Sequence, residues 1–356
     1  MSSYKGPTYL AASELPLAFL QLWGTSQYTL KKAHDKYGSV VRIAPNTLSF
    51  IEPSAWNDIY GSRNGRAALP KDPLYYNEML LDREAVVMSS HDAARPIRKA
   101  MNPAFSHKAL LELEPMLRDH IGCLIAQLVK TSQRQGSVDM STWSKLSMFD
   151  IFSDFVFGED LGCVRDGIYH EWAQVLVDFT YAATLLHQCH KFWPLNKVLA
   201  LLIPSSVRAR KQRHSEASLE RIRRRIHSPT DRPDFMFYFL RQAEKEQLSK
   251  KVIEAQASVI IAAGSESSAV ALTAAVYYMT SNDDVYRRLC EEVRNAFKTS
   301  AEISLQDLLP RLPYLDACVQ ETLRIHSPLA NGFTRFVEDS EGTNISGNWV
   351  PQSVRA

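Results

Sequence analysis

The sequence has no CxxC pair, no cluster of cysteines and no even cysteine count. Cys123, Cys163, Cys189, Cys290 and Cys318 are scattered singly along 356 residues. That pattern argues against a disulfide framework and against a thiolate zinc site, and it leaves reduced, largely buried thiols. There is also little charge imbalance. The formal net charge of +2 argues against a nucleic-acid binder, which concentrates basic residues on one face. No metal-ligand motif, internal repeat or low-complexity tract stands out. The apolar stretches look shorter than the ~20 residues of a membrane span. The N-terminus lacks the charged-then-apolar pattern of a secretory signal.

What is present is an ordinary globular balance, 45% hydrophobic and 22% charged, with enough length for a sizeable core. The spacing predicts a helix over 26–37, closed by Tyr37-Gly38, then a hairpin of 39–44 and 47–51 turning at Pro45-Asn46. Residues 1–24 show no long periodic pattern. Beyond residue 90 the strong signals are helical, at 90–102, 107–132, 142–158, 167–188, 206–227, 233–244, 249–280, 283–297, 304–309 and 313–326. Residues 335–350 return to strand character, with a turn at Ser346-Gly347. Read this way, they form the start of a sheet whose partners lie further on. The fold class expected is mainly α with a small β-sheet.

Three segments carry chemistry. The helix over 249–280 is small and apolar at its centre but holds Ala263-Gly264-Ser265-Glu266-Ser267-Ser268. A glycine inside a helix costs about 1 kcal/mol against alanine. Serines there compete for backbone carbonyls, and a carboxylate in apolar surroundings needs a partner. The cluster reads either as a helix opened beside a cofactor, with Glu266 and Ser267 relaying protons, or as a solvent-facing patch where small residues allow close packing. Taken alone, the second is the plainer reading. Glu321 and Arg324, three residues apart on a helix, share a face and can pair. Arg95, Arg98 and Lys99 lie on one short helix ending at Asn102-Pro103. They are either a solvated basic face or the source of an arginine turned to an anionic ligand.

Together and in this order, these segments resemble a cytochrome P450, most closely the fungal microsomal enzymes of secondary metabolism. Residues 37–46 resemble the first hairpin entry and 98–106 the end of the C helix. Residues 149–159 resemble the E helix, Ala263–Ser268 the oxygen-binding groove of the I helix, and Glu321–Arg324 the ExxR of the K helix. The resemblance implies haem, held through its propionates by Arg98 and Arg335. It implies a distal acid–alcohol pair in Glu266 and Ser267, and structural roles for Gly264, Glu321 and Arg324. It also implies an NADPH–cytochrome P450 reductase as partner and a lipophilic small molecule as substrate, at the endoplasmic reticulum membrane. Phe192-Trp193-Pro194 and residues 199–204, followed by Arg208, Arg210, Lys211 and Arg213, suit peripheral membrane contact or, equally, a packed helix end with a solvated face.

Two departures stand out. Ala94 replaces the usual Trp or His one turn before Arg98, with His91 a poor substitute, and Ser267 replaces the usual Thr. More seriously, no cysteine follows the ExxR helix, and the FxxGxRxC loop is absent. Cys163 lies in a segment of unsuitable spacing and acidic character and reads as structural. A P450 draws its reactivity from a cysteine thiolate on iron. Residues 1–356 are therefore expected to be one incomplete P450-like domain, without membrane anchor or C-terminal haem-binding segment, catalytically inactive as written, and cytoplasmic or peripheral to the membrane. The alternatives are an active enzyme whose reported sequence is incomplete, or a haem-free ligand-binding or scaffold protein.

Overall fold

A computed structural model describes residues 1, 3–61, 68–76, 82–169, 188, 191–192, 216, 219–227, 232–329 and 332–356. The chain divides into two compact units. One comprises Met1–Arg95, Asp178–Arg208 and Asn331–Ala356, and the other Pro96–Val177 and Ala209–Ala330. Residues 170–187 of the helix expected at 167–188, most of that expected at 206–227, the basic segment at 208–213 and Cys189 lie outside the described residues, and 167–169 are non-helical.

In the first unit, helices α1 (Thr8–Ala12), α2 (Glu14–Leu22) and α3 (Ser26–Tyr37) precede strands β1 (Val40–Ala44) and β2 (Thr47–Phe50), then helix α4 (Pro53–Tyr60). The first two helices occupy the stretch in which no pattern was expected. They are short, and α2 is started by the Ser13 hydroxyl, which accepts from the Leu15 N–H. Gly38 ends α3 at φ +102°, a region that side chains other than glycine disfavour. The His34 ring ties that end to the hairpin, with contacts of 2.9 Å to the Gly38 carbonyl and 2.8 Å to the Ser49 hydroxyl.

The hairpin has a third neighbour from the far end of the sequence. The Leu48 N–H donates to the Arg355 carbonyl, and the Arg355 N–H to the Asn46 carbonyl. On its other side Arg355 bridges Phe336. Its guanidinium reaches Glu14 at 3.0 Å and Asp72, which is buried, at 3.1 Å. Strands β3 (Thr343–Ile345) and β4 (Asn348–Val350) pair with each other. The turn expected at Ser346-Gly347 joins them. Ser346 and Gly347, at φ +48° and +76°, supply the two left-handed residues of a tight hairpin turn. Leu48, Ile59, Val337, Ile345, Val350 and Val354 close the core over these strands.

Helix α5 spans His91–Met101. The second unit is built from α6 (His107–Glu112), α7 (Glu114–Gln135), α8 (Met140–Phe157), α9 (Cys163–Asp166), α10 (Phe235–Lys245), α11 (Lys250–Thr280), α12 (Asp283–Ala296), α13 (Leu305–Arg311) and α14 (Pro313–Ile325). The single helix expected over 107–132 is two, because Pro115 has no N–H to continue α6 and instead opens the first turn of α7. Helices α8 and α11 form the central packed pair. Phe149, Phe155, Phe235, Phe239 and Ile261 fill the space around them. By length and composition α11 is apolar enough to cross a membrane. That corrects the expectation that no stretch reaches such a length. Here it serves as a core helix, packed by α8, α10, α12 and α14.

Several buried charges among the described residues of this unit are paired. The Arg225 guanidinium donates to both Asp234 oxygens at 2.7 and 2.8 Å. Asp154 contacts the His120 ring at 3.0 Å and Arg232 at 2.7 Å. The hydrogen bond to Asp154 raises the His120 pKa. Burial pushes the Asp154 carboxyl up, but hydrogen bonds from His120 and Arg232 outweigh it and leave the pKa lowered.

Two outcomes follow for stability. His120 contributes fully below its unfolded pKa of about 6.5 and loses that contribution as pH rises through its raised folded value. Asp154 contributes above its unfolded pKa of about 3.9 and loses that contribution as pH falls through its lowered folded value. Urea midpoints should therefore decline as pH rises above about 6.5, and His120→Asn should flatten that decline. In the first unit, Arg355→Ala leaves Asp72 buried without its cation and should lower unfolding free energy by about 3 kcal/mol, measurable by the same titration.

Candidate active site

Helix α11 begins where the Ser249 hydroxyl accepts from the Val252 N–H. It runs without a break to Thr280. Its close approach to α8 is set by Gly264. A Cβ at that position would lie 2.1 Å from the Phe152 ring, well inside contact distance. Next to it, Ser265 is buried and donates to the Ile261 carbonyl at 2.7 Å. Ser267 donates to the Ala263 carbonyl at 2.6 Å. Both hydroxyls are thus satisfied one turn back along the helix, which reconciles their presence with an unbroken backbone. Ala263, Ser267 and Val270 follow one another at helical spacing along a less-buried face.

Glu266 leaves the helix on the α8 side. Its carboxylate stands 3.8 Å from the Lys145 ammonium, with both side chains roughly one-third exposed. Tyr169 lies close enough to feel it. Burial, and after it the Glu266 charge, pushes the Tyr169 hydroxyl up to about 12.

Glu321 and Arg324 on α14 form the expected pair, with the guanidinium donating at 2.6 and 2.7 Å to the two carboxylate oxygens. Both side chains are exposed, and the hydrogen bonds from Arg324 hold the Glu321 carboxyl below its ordinary value. Arg98 on α5 is exposed and has no hydrogen-bond or ion-pair partner among the described residues, whereas the adjacent Lys99 pairs with Glu246 at 2.7 Å. Ala94 is fully buried.

Arg335 belongs to the first unit. Its backbone exchanges two hydrogen bonds with Ala356. Its guanidinium carbon stands 5.3 Å from the Tyr60 ring centre and 5.5 Å from that of Tyr76. The Nε atom is buried and without an acceptor. Burial raises the Tyr76 hydroxyl to about 12 against the opposing pull of Arg335. A cation held between two rings, with a buried N–H lacking an acceptor, fits an anionic carboxylate. A haem propionate is such a group.

The sequence-predicted residues thus fall into separate groups: Gly264, Glu266 and Ser267 on α11, the Glu321–Arg324 pair on α14, Arg98 on α5, and Arg335 among tyrosines. Lys145, Phe152 and Tyr169 escaped the sequence reading, as did Tyr60 and Tyr76. A signal for Lys145 existed. It is a cation in the middle of a largely buried helix, and the apolar setting of Glu266 demanded one. Nothing in the spacing marks the two tyrosines as neighbours of Arg335. The role of Gly264 is directly testable. Gly264→Ala should lower the melting temperature, because overpacking of about 1–3 kcal/mol outweighs the gain of about 1 kcal/mol in helix propensity. Adding Phe152→Leu should restore it.

Comparison with known proteins matches residues 12–353 to the cytochrome P450 family. The cytochrome P450 monooxygenase astD of Aspergillus oryzae is 40% identical over 352 residues, covering 99% of this chain and 68% of the relative. Cytochrome P450 monooxygenases astA of Talaromyces wortmannii and atr2 of Stereocaulon alpinum are 34% and 32% identical, each across 99% of this chain and 71% and 70% of their own length. With the helical architecture, the Gly264–Ser267 segment and the Glu321–Arg324 pair in hand, the chain belongs to the cytochrome P450 monooxygenase family.

Proposed function

We propose that the protein serves the oxidation of an apolar natural product in fungal secondary metabolism, with haem as cofactor and electrons from NADPH through a cytochrome P450 reductase at the endoplasmic reticulum membrane. The observation that carries this reading is the α11 segment. A glycine admits close packing, and an acid and an alcohol follow it on adjacent positions of an otherwise small, apolar helix. Haem, when bound, supplies the iron that activates oxygen. Arg98 and Arg335 are the residues suited to its propionates. Glu266 is suited to accept and release protons, and the Ser267 hydroxyl to pass them on once it leaves the Ala263 carbonyl.

We further infer that these 356 residues alone form no thiolate-ligated haem. Cys163 is 1% exposed among Leu124, Trp143, Leu146 and Val164, and Cys123 packs on the same cluster. Cys290 and Cys318 lie on α12 and α14, ahead of Glu321 in sequence. The family resemblance calls for a ligand following that residue.

Two measurements test these readings. The reduced carbon monoxide difference spectrum of the 356-residue polypeptide with haemin should lack the red-shifted band of thiolate ligation; that band would overturn the second inference. Haemin titration should show Arg335→Ala and Arg98→Ala each weakening binding by roughly threefold to tenfold, about 1 kcal/mol per lost charge-assisted contact. Unchanged affinity in both would remove the propionate assignment. Sequencing the transcript on both sides of this coding segment identifies any in-frame FxxGxRxC loop.

A further inference from the structure

Lysines ordinarily carry their charge into water. Lys191, in the first unit, is partly buried, and its ammonium reaches the Gln21 side-chain oxygen at 3.4 Å. It meets no carboxylate directly among the described residues. The two acids that act on it through space, Glu14 and Asp72, both lie against the Arg355 guanidinium, at 3.0 and 3.1 Å. An ammonium has three N–H donors, and away from water each needs an acceptor. One amide oxygen at the long end of hydrogen-bond distance leaves most of that capacity unused. Burial, aided by Arg355, pushes the Lys191 pKa down against the pull of Glu14 and Asp72.

Gln188 has the opposite deficiency. It is 5% exposed, and its side-chain oxygen is buried and accepts from no donor. A turn joins the two residues, with the Lys191 N–H donating to the Gln188 carbonyl at 3.3 Å. Gln21 belongs to the inner face of α2. Glu14 lies two turns before it on that face, and Leu17 and Ala18 between them are buried. A cation with spare donors and a buried acceptor without one thus stand one turn apart, beside a helix face that is apolar between its polar ends.

We propose that Lys191, Gln188 and Gln21 form a polar subsite for one end of the substrate, in which Lys191 donates to a carboxylate and Gln188 accepts from a hydroxyl close to it. The substrate class is then a hydroxy acid on an apolar skeleton. The proposal rests on the apolar-substrate reading above and narrows it. A hydroxy acid brings in one molecule the charged acceptor that Lys191 lacks and the donor that Gln188 lacks. Gln21 holds the ammonium in place until such a group arrives. A neutral analogue leaves both groups unpaired, which is the way a buried polar site rejects a near-isosteric ligand.

Isothermal titration of the 356-residue polypeptide with β-hydroxydecanoate, decanoate and decanol tests this. Affinity should fall in that order, by roughly threefold to tenfold at each step. Lys191→Met should bring decanoate down to the level of decanol, and Lys191→Arg should keep the preference for the acid. Gln188→Leu should remove the advantage of the hydroxyl and leave that of the carboxylate. A merely structural role for Lys191 would shift all three ligands alike, decanol included. Decanol binding as tightly as decanoate to the unsubstituted protein overturns the proposal alone. So does a preference for decanoate that survives Lys191→Met, or a hydroxyl advantage that survives Gln188→Leu. Binding of none of the three overturns the apolar-substrate reading together with the proposal.

Discussion

The approach of α11 to α8 at Gly264 and Phe152 is the constraint on which the second unit depends. A ring from one helix occupies the place where any Cβ on the other would lie. That contact sets the separation of the two central packed helices. It lets the aromatic cluster of Phe149, Phe155, Phe235 and Phe239 close around them. It also fixes which residues of α11 face α8. Ser265 is sealed inside, Glu266 meets Lys145, and Ala263 and Ser267 remain on the more open side. The chemistry assigned to this helix is a consequence of its packing rather than of a local break in its backbone.

Polar groups inside the protein follow one rule with informative exceptions. Asp154, Asp234 and Glu254 each meet an arginine, and Asp150 accepts the Cys163 and Val164 N–H groups. These pairs orient elements, because a buried charge without its partner costs several kcal/mol. Arg335 presents a buried Nε with no acceptor, as do Arg42, Arg225 and Arg355, but its guanidinium lies against two tyrosine rings rather than a carboxylate. Arg98 has no partner among the described residues, though on the surface. Both fall where the family resemblance expects an anion.

The long periodic helices, the first hairpin and the pairing of Glu321 with Arg324 were legible in the sequence, because each is set by interactions within a few residues. Helices α1 and α2 were not. They are too short for a period to show, and their stability comes from packing of Leu10 and Leu17 against Ala33, Val41 and Ile43. The split at Leu113 was legible in principle from Pro115 but was hidden by the continuous apolar pattern. Glu266 could be picked out as an acid in need of a partner, whereas its cation could not, since Lys145 and Glu266 are 121 positions apart. The Tyr60–Arg335–Tyr76 stack escaped for the same reason.

The neighbours of Arg355 have a kinetic meaning. Its backbone completes the edge of the first hairpin, and its side chain joins Glu14 and Asp72. During synthesis the first unit therefore holds its hairpin edge unpaired and Asp72 without its cation while more than 250 further residues emerge. Pairings of such high sequence separation form slowly. An exposed strand edge in that interval invites association with other chains. The second unit, whose contacts are largely complete by Ile325, can consolidate first. The Arg355 segment then closes a hairpin edge made long before it.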